Sequence, residues 1–163
     1  NHLRTSRAPA IIVAKGAEDL LVAANDLLLG LQWQDVDVIQ VENFHKVALK
    51  DQDILFIGRP SNRLPGLSLP KRFEIENRQF IIDGHRYGQR EDVLFMVLLN
   101  NKREHVRGYF LANSKDAIQQ TARRIPHYGR YSYLVFRGGK NLVKATWETE
   151  DSPLKHHFKQ DQQ

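Results

Sequence analysis

The sequence predicts an α/β fold, an open mixed sheet in two or three layers whose first strands are parallel and whose second half turns antiparallel. Three observations carry this. Short apolar runs, Ala10 to Ala14 and Ile54 to Ile57, are each closed by polar or turn residues, as strands buried on both faces are. Between them lies a stretch with helical period. After them come shorter β-rich runs separated by dipeptides suited to tight turns.

Ala10-Ile11-Ile12-Val13-Ala14 ends at Lys15-Gly16 and reads as the first strand. From Ala17 to Leu31 the apolar residues Leu20, Leu21, Ala24, Leu27, Leu28 and Leu31 recur at three- and four-residue spacing. Glu18 and Asp19 fall in the first turn, where the helix dipole favours acids. Asp35 to Val41 nearly alternates and predicts a strand, and Asp53 to Gly58 predicts another, buried one. Strand, helix, strand and strand in this order make a Rossmann- or flavodoxin-like start, with the helix as a right-handed crossover between parallel strands.

Arg59 to Gly66, with Pro70 beyond, is a turn-rich connection. Arg72 to Asn77 and Gln79 to Ile82 predict an antiparallel pair, turning at Asn77-Arg78, with a second turn at Asp83-Gly84. Val93 to Leu99, the most apolar stretch, predicts a central strand, paired with Val106 to Leu111. A helix over 114–124 follows, capped by Ser114, with Ala117, Ile118, Thr121 and Ala122 inward and Pro126 as its stop. Tyr131 to Phe136 and Leu142 to Trp147 predict a closing hairpin through Gly138 to Asn141. Strict alternation puts Tyr131, Tyr133 and Val135 on one face of its first strand, Ser132, Leu134 and Phe136 on the other. The expected organisation is a linker or cut end over 1–8, one α/β domain over 9–148, and a polar tail over 149–163.

At 163 residues the chain is long enough for one core. No apolar run approaches the roughly 20 residues that cross a bilayer. With no cysteine, disulfides, thiolate metal sites and cysteine nucleophiles are excluded. The formal charge of +5 permits acidic partners, but its sign is scattered along the chain, so nucleic acid is not the expected partner. Arg123, Arg124, Arg130 and Arg137, near Tyr128, Tyr131, Tyr133 and Phe136, are the residues that such binding would use. Leaving the localisation open, the composition suits a chain that folds without a membrane-spanning segment.

No catalytic constellation emerges, and no cofactor is expected. There is no His-Glu-x-x-His, and His156-His157 are adjacent, so metal binding is not expected. Ser61 and Ser132 lack the Gly-x-Ser-x-Gly elbow of an exposed nucleophile. His127 sits in a turn and acts as acid or base only beside a carboxylate, and the carboxylates Glu74, Glu76 and Asp83 are explained by exposed strand faces. Ligands of open parallel sheets bind outside the carboxyl ends of the strands. Lys15, Gly16, Gly58, Arg59, Ser61 and Asn62 fall there and form the candidate site for a small anion, although the chain has neither a dinucleotide fingerprint nor a Gly-Lys-Ser/Thr phosphate loop.

Three segments carry a family resemblance: Asp53 to Gly58 with Ser61-Asn62, Phe80-Ile81-Ile82-Asp83-Gly84-His85-Arg86-Tyr87, and Tyr131 to Phe136 with Lys144 to Trp147. In their order they resemble the small non-catalytic α/β domain of large bacterial metallopeptidases of the gluzincin, membrane alanyl aminopeptidase-like type. The resemblance implies an accessory domain whose partner is the remainder of a parent polypeptide, at the periplasm or cell surface. A cut N-terminus without initiating Met would fit it. The zinc-binding helix of that family has no counterpart here, so the resemblance assigns no catalytic residue to this chain.

Overall fold

The computed structural model describes residues 9–33, 36–42, 52–64, 69–99 and 104–147. The expected linker over 1–8 and the tail over 149–163, with His156 and His157, lie outside them. So does Pro65-Gly66 of the turn-rich connection.

Seven strands form the main sheet: β1 (Ala10–Ala14), β2 (Asp37–Val41), β3 (Ile54–Gly58), β7 (Asp92–Leu99), β8 (Val106–Ala112), β9 (Tyr133–Arg137) and β10 (Lys140–Ala145). Their spatial order is β10-β9-β7-β8-β3-β1-β2. The pairs β1–β2, β1–β3 and β3–β8 are parallel, whereas β7–β8, β7–β9 and β9–β10 are antiparallel. The mixed α/β architecture is therefore present, with its change of sense at β8. A second sheet, β4 (Phe73–Glu76), β5 (Gln79–Ile82) and β6 (His85–Tyr87), is antiparallel throughout. Its third strand was not foreseen, because three residues as polar as His85-Arg86-Tyr87 show no alternation to read.

Period two along the main strands divides the interior into two cores. Ile11, Val13, Leu55, Ile57, Val93, Phe110, Leu134 and Phe136 face the helices, and Ile12, Phe56, Leu94, Met96, Tyr109, Leu111 and Val135 face the small sheet through Phe73, Phe80 and Ile82. The result is three layers: helices, main sheet, small sheet. Trp147 seals the second core beyond β10. It is fully buried, its indole N–H donates to the Val97 carbonyl at 2.9 Å, and its ring lies against Phe73 and Tyr133.

Several expectations are refined. The helix read from Ala17 to Leu31 is two helices, α1 (Glu18–Ala23) and α2 (Asn25–Leu31). They meet at Ala24, whose N–H is shared between the carbonyls of Leu20 and Leu21 at 3.0 and 3.1 Å. Helical period survives such a small break, so the pattern alone does not reveal it. The second helix, α3 (Lys115–Ala122), is capped as read, Ser114 Oγ accepting from the Ala117 N–H at 3.2 Å. Pro126 falls in a 3-10 turn over Ile125–Tyr128. The last hairpin turns in two residues, Gly138 and Gly139, both with positive φ. Tyr131 departs from the alternation: it precedes β9 and packs with the helix-side core, not with Tyr133 and Val135.

Candidate functional site

The carboxyl ends of β1, β3 and β8 emerge at one edge of the sheet. Strand β1 is followed in sequence by β2 on one side and flanked in space by β3 on the other, which opens a crevice between the loops after β1 and β3. Two adjoining cavities occupy this edge. One, of about 370 Å³, is lined by Lys15, Gly16, Glu42, Arg59, Ser61 and Arg78, among others. Its neighbour, of about 550 Å³, is lined by Asp19, Arg90, Asn113, Ser114, Lys115 and again Arg59 and Arg78. Arg59 and Arg78 stand at their common boundary.

The structure brings Lys15, Gly16, Arg59 and Ser61 together at the first cavity as the strand-end argument requires. Gly58 is the buried last residue of β3 and lines neither cavity. Asn62 also stands back from the lining; its backbone N–H donates to Asn77 Oδ1 at 3.2 Å, so its part is to tie the β3 loop to the small sheet. Ser61 Oγ accepts from the Arg63 N–H at 3.1 Å. Arg59 reaches back to the Gly16 carbonyl at 3.4 Å and to Asp19 at 3.6 Å, bridging the two loops. Lys15 pairs with Glu42 at 3.1 Å, both side chains largely in solvent, a contact of little energetic weight.

Four cations of this edge escaped the sequence reading: Arg63, Arg78, Arg90 and Lys115. Arg78 is the most informative. It is the second residue of the two-residue turn between β4 and β5 and holds φ at 69°, a left-handed conformation that ordinary side chains occupy only at a cost. Its N–H donates to the Pro60 carbonyl at 2.8 Å, and its own carbonyl accepts from Asn113 Nδ2 at 2.8 Å. The turn of the small sheet is thus clamped between the β3 and β8 loops, and its guanidinium is delivered to the boundary of both cavities. The available signal was a long cation at a turn position where Gly or Asn is usual.

Taken together, the two cavities are lined among the described residues by six cations, Lys15, Arg59, Arg63, Arg78, Arg90 and Lys115, against two carboxylates, Asp19 and Glu42, with Asp116 outside the lining pairing with Arg90 at 3.6 Å. Arg63, Arg78 and Lys115 make no ion pair or side-chain hydrogen bond among the described residues. The excess is positive and partly uncompensated. Among the described residues no aromatic ring lines either cavity.

The backbone at the β1 turn is already occupied. Hydrogen bonding at the Glu18 backbone and then at Gly16 holds the Glu18 carboxyl below the usual glutamate range, with Lys15 adding a smaller pull against the desolvation that opposes it. The chain's own carboxylate sits where a phosphate loop would place its ligand. An incoming anion would therefore be held by side chains.

No family model matches the chain. No curated protein matches it at a significant level either.

The other candidates resolve separately. Among the described residues no group of three or more His, Asp or Glu is placed to hold a metal ion, and no helix is long and apolar enough to cross a membrane. His127 is exposed and makes no ion pair with a carboxylate among the described residues. Ser132 Oγ accepts from the Trp147 N–H, and Glu76 pairs with Arg86 and Asp83 with Arg72. The four arginines considered for nucleic acid do not form one free stripe: Arg137 holds buried Asp92 through two hydrogen bonds of 2.6 and 3.2 Å, and Arg123 reaches Asp26 at 3.9 Å.

Proposed function

We propose that this domain binds a small polyanion at the carboxyl edge of its parallel strands, and that it does so without catalysing a reaction. The observation that carries the reading is the excess of cations over carboxylates in the described lining of two adjoining cavities, in which Arg63, Arg78 and Lys115 are unpaired among the described residues whereas Arg90 is paired with Asp116. An anion with two or more charged groups matches a pair of cavities sharing Arg59 and Arg78 better than a single phosphate does. The described lining is cationic and polar, so the fitting class is an oligophosphate or a multiply phosphorylated sugar.

The test is a calorimetric titration with tripolyphosphate, repeated at rising salt, alongside amide shifts of the labelled protein. Saturable binding that weakens with salt and moves the amides of Ser61, Arg78 and Ser114 supports the reading. Absence of heat and of shifts at these amides removes it.

A second reading, a non-catalytic accessory domain of a larger bacterial metallopeptidase that serves packing, substrate access or partner contacts, is favoured by a different observation. Val22, Leu29, Val38 and Ile39 are large apolar side chains left exposed, on α1, on α2 and on edge strand β2, Val22 at 75%. Such a group of residues suits a neighbouring domain. A longer polypeptide carrying this chain would then cleave aminoacyl substrates, and polar replacement of Val22 and Val38 would alter its stability or substrate choice. Unchanged behaviour, or no cleavage, would end the peptidase link.

A further inference from the structure

Among the described residues, α1, α2, α3 and the 3-10 turn over Ile125–Tyr128 lie on one face of the main sheet. At the end of the sheet away from the cationic edge, between Trp33, the 3-10 turn and strands β7 and β8, a cavity of about 370 Å³ opens on this helix side. Its volume is within the roughly 300–1,000 Å³ of small-molecule sites.

The lining is apolar and rich in rings. Phe95 and Val97 of β7 and Gly108 of β8 form the floor, and Trp33, Tyr128 and Tyr131 form walls. Gly108 keeps the floor low: a Cβ there would meet Leu55 Cδ1 at 3.0 Å and would need that side chain to give way. The wall at Tyr131 is cationic on its outer side. Arg130 lies 5.1 Å from the centre of that ring and donates to the Tyr131 hydroxyl at 3.2 Å, while Lys144 Nζ lies 5.8 Å from the ring centre. Neither cation is paired with a carboxylate among the described residues. An apolar cavity one of whose lining rings, Tyr131, carries two cations is complementary to an amphipathic anion.

We propose that this cavity binds a lipophilic monocarboxylate, with its hydrocarbon body over Gly108 between Trp33, Phe95 and Tyr128 and its carboxylate at the Tyr131 rim beside Arg130 and Lys144. The site is separate from the cationic edge and does not depend on it. An uncharged or cationic ligand of the same length gains the same burial and loses the charge contacts, which is the discrimination to measure.

The experiment titrates the protein with dodecanoate and, separately, with dodecyltrimethylammonium, both below the concentration at which they form micelles. Trp33 emission is the reporter, because it lines the cavity whereas Trp147 is buried in the opposite core. Saturable change with dodecanoate, about tenfold tighter than with the cation, is expected; two exposed charge contacts produce a ratio of that order. The double variant Arg130→Gln, Lys144→Gln, which alters only surface groups, should bring the ratio near one. Val97→Phe should fill part of the cavity and weaken binding without adding a second emitter there; if that variant does not fold, contacts between the dodecanoate chain and the Tyr128 ring protons in the wild-type protein replace it. No saturable Trp33 response, equal affinity for the two detergents, or chain contacts away from Tyr128 would each overturn the proposal.

Discussion

Replacing Arg78 by Asn should stabilise the protein while weakening its hold on an anion. The residue sits at φ 69° in the β4–β5 turn, and Asn is several-fold commoner in that region than ordinary residues, a preference equivalent to about 1 kcal/mol. Asn keeps the two backbone hydrogen bonds, to Pro60 and from Asn113, that clamp the turn. It also removes one charge from an edge where cations outnumber carboxylates, which acts in the same direction. The expected gain is about 0.5–1 kcal/mol, or roughly 1–4 °C in Tm for a domain of this size. On the binding side, one charge-assisted hydrogen bond in a solvent-open site is worth about 1.5 kcal/mol, so tripolyphosphate affinity should fall about tenfold. Thermal unfolding followed by circular dichroism gives the first number and calorimetry the second. A loss of more than about 1 kcal/mol would refute the account of backbone strain, and unchanged affinity would refute the placement of the guanidinium in the site.

Other consequences are equally direct. Trp147→Ala should cost about 3–5 kcal/mol in urea unfolding, because a fully buried ring between the two sheets is removed, and Trp147→Phe about 1–2 kcal/mol, because the Val97 carbonyl loses its donor. An alanine variant that loses less than about 1 kcal/mol would mean that the segment after β10 does not seal the second core. Gly30→Ala should destabilise by about 1–3 kcal/mol despite the better helix propensity of Ala, since the new methyl would stand 2.7 Å from Pro126 Cγ; a more stable variant would contradict the packing of α2 on the 3-10 turn. Glu18 has a folded pKa below its ordinary 4.5, so its contribution is present above that value and is lost as pH falls through the lowered one. Glu18→Gln should therefore flatten the acid limb of stability between about pH 5 and about pH 3; an unaltered limb would show that the backbone contacts at Glu18 and Gly16 are not made.

The sequence by itself determined the class of fold and most of the elements. Continuous apolar runs such as Ile54 to Ile57 are tied to burial on both faces, Ser114 to the start of a helix, and the glycines of Gly138 to Asn141 to a hairpin turn, because each depends on local sterics and on the period of its own segment; that the turn closes in two residues, with Lys140 and Asn141 already in β10, came from the strand pairing. The strand-end residues Lys15, Gly16, Arg59 and Ser61 were legible for the same reason, as the ends of such runs. Only the tertiary structure decided what joined them. Arg63 and Arg78 lie in a loop and a turn, Arg90 before β7, and Lys115 after β8, far apart in sequence, and the scattered positive charge becomes one edge only when the small sheet folds back onto the main one. The apolar cavity is of the same kind, since its lining comes from the segment after α2, the 3-10 turn and strands β3, β7 and β8, and a gap between elements has no residue to mark it. Local periodicity reports what a segment buries; which charges converge and which surface stays uncovered are set by contacts between segments, and those were absent from the linear pattern.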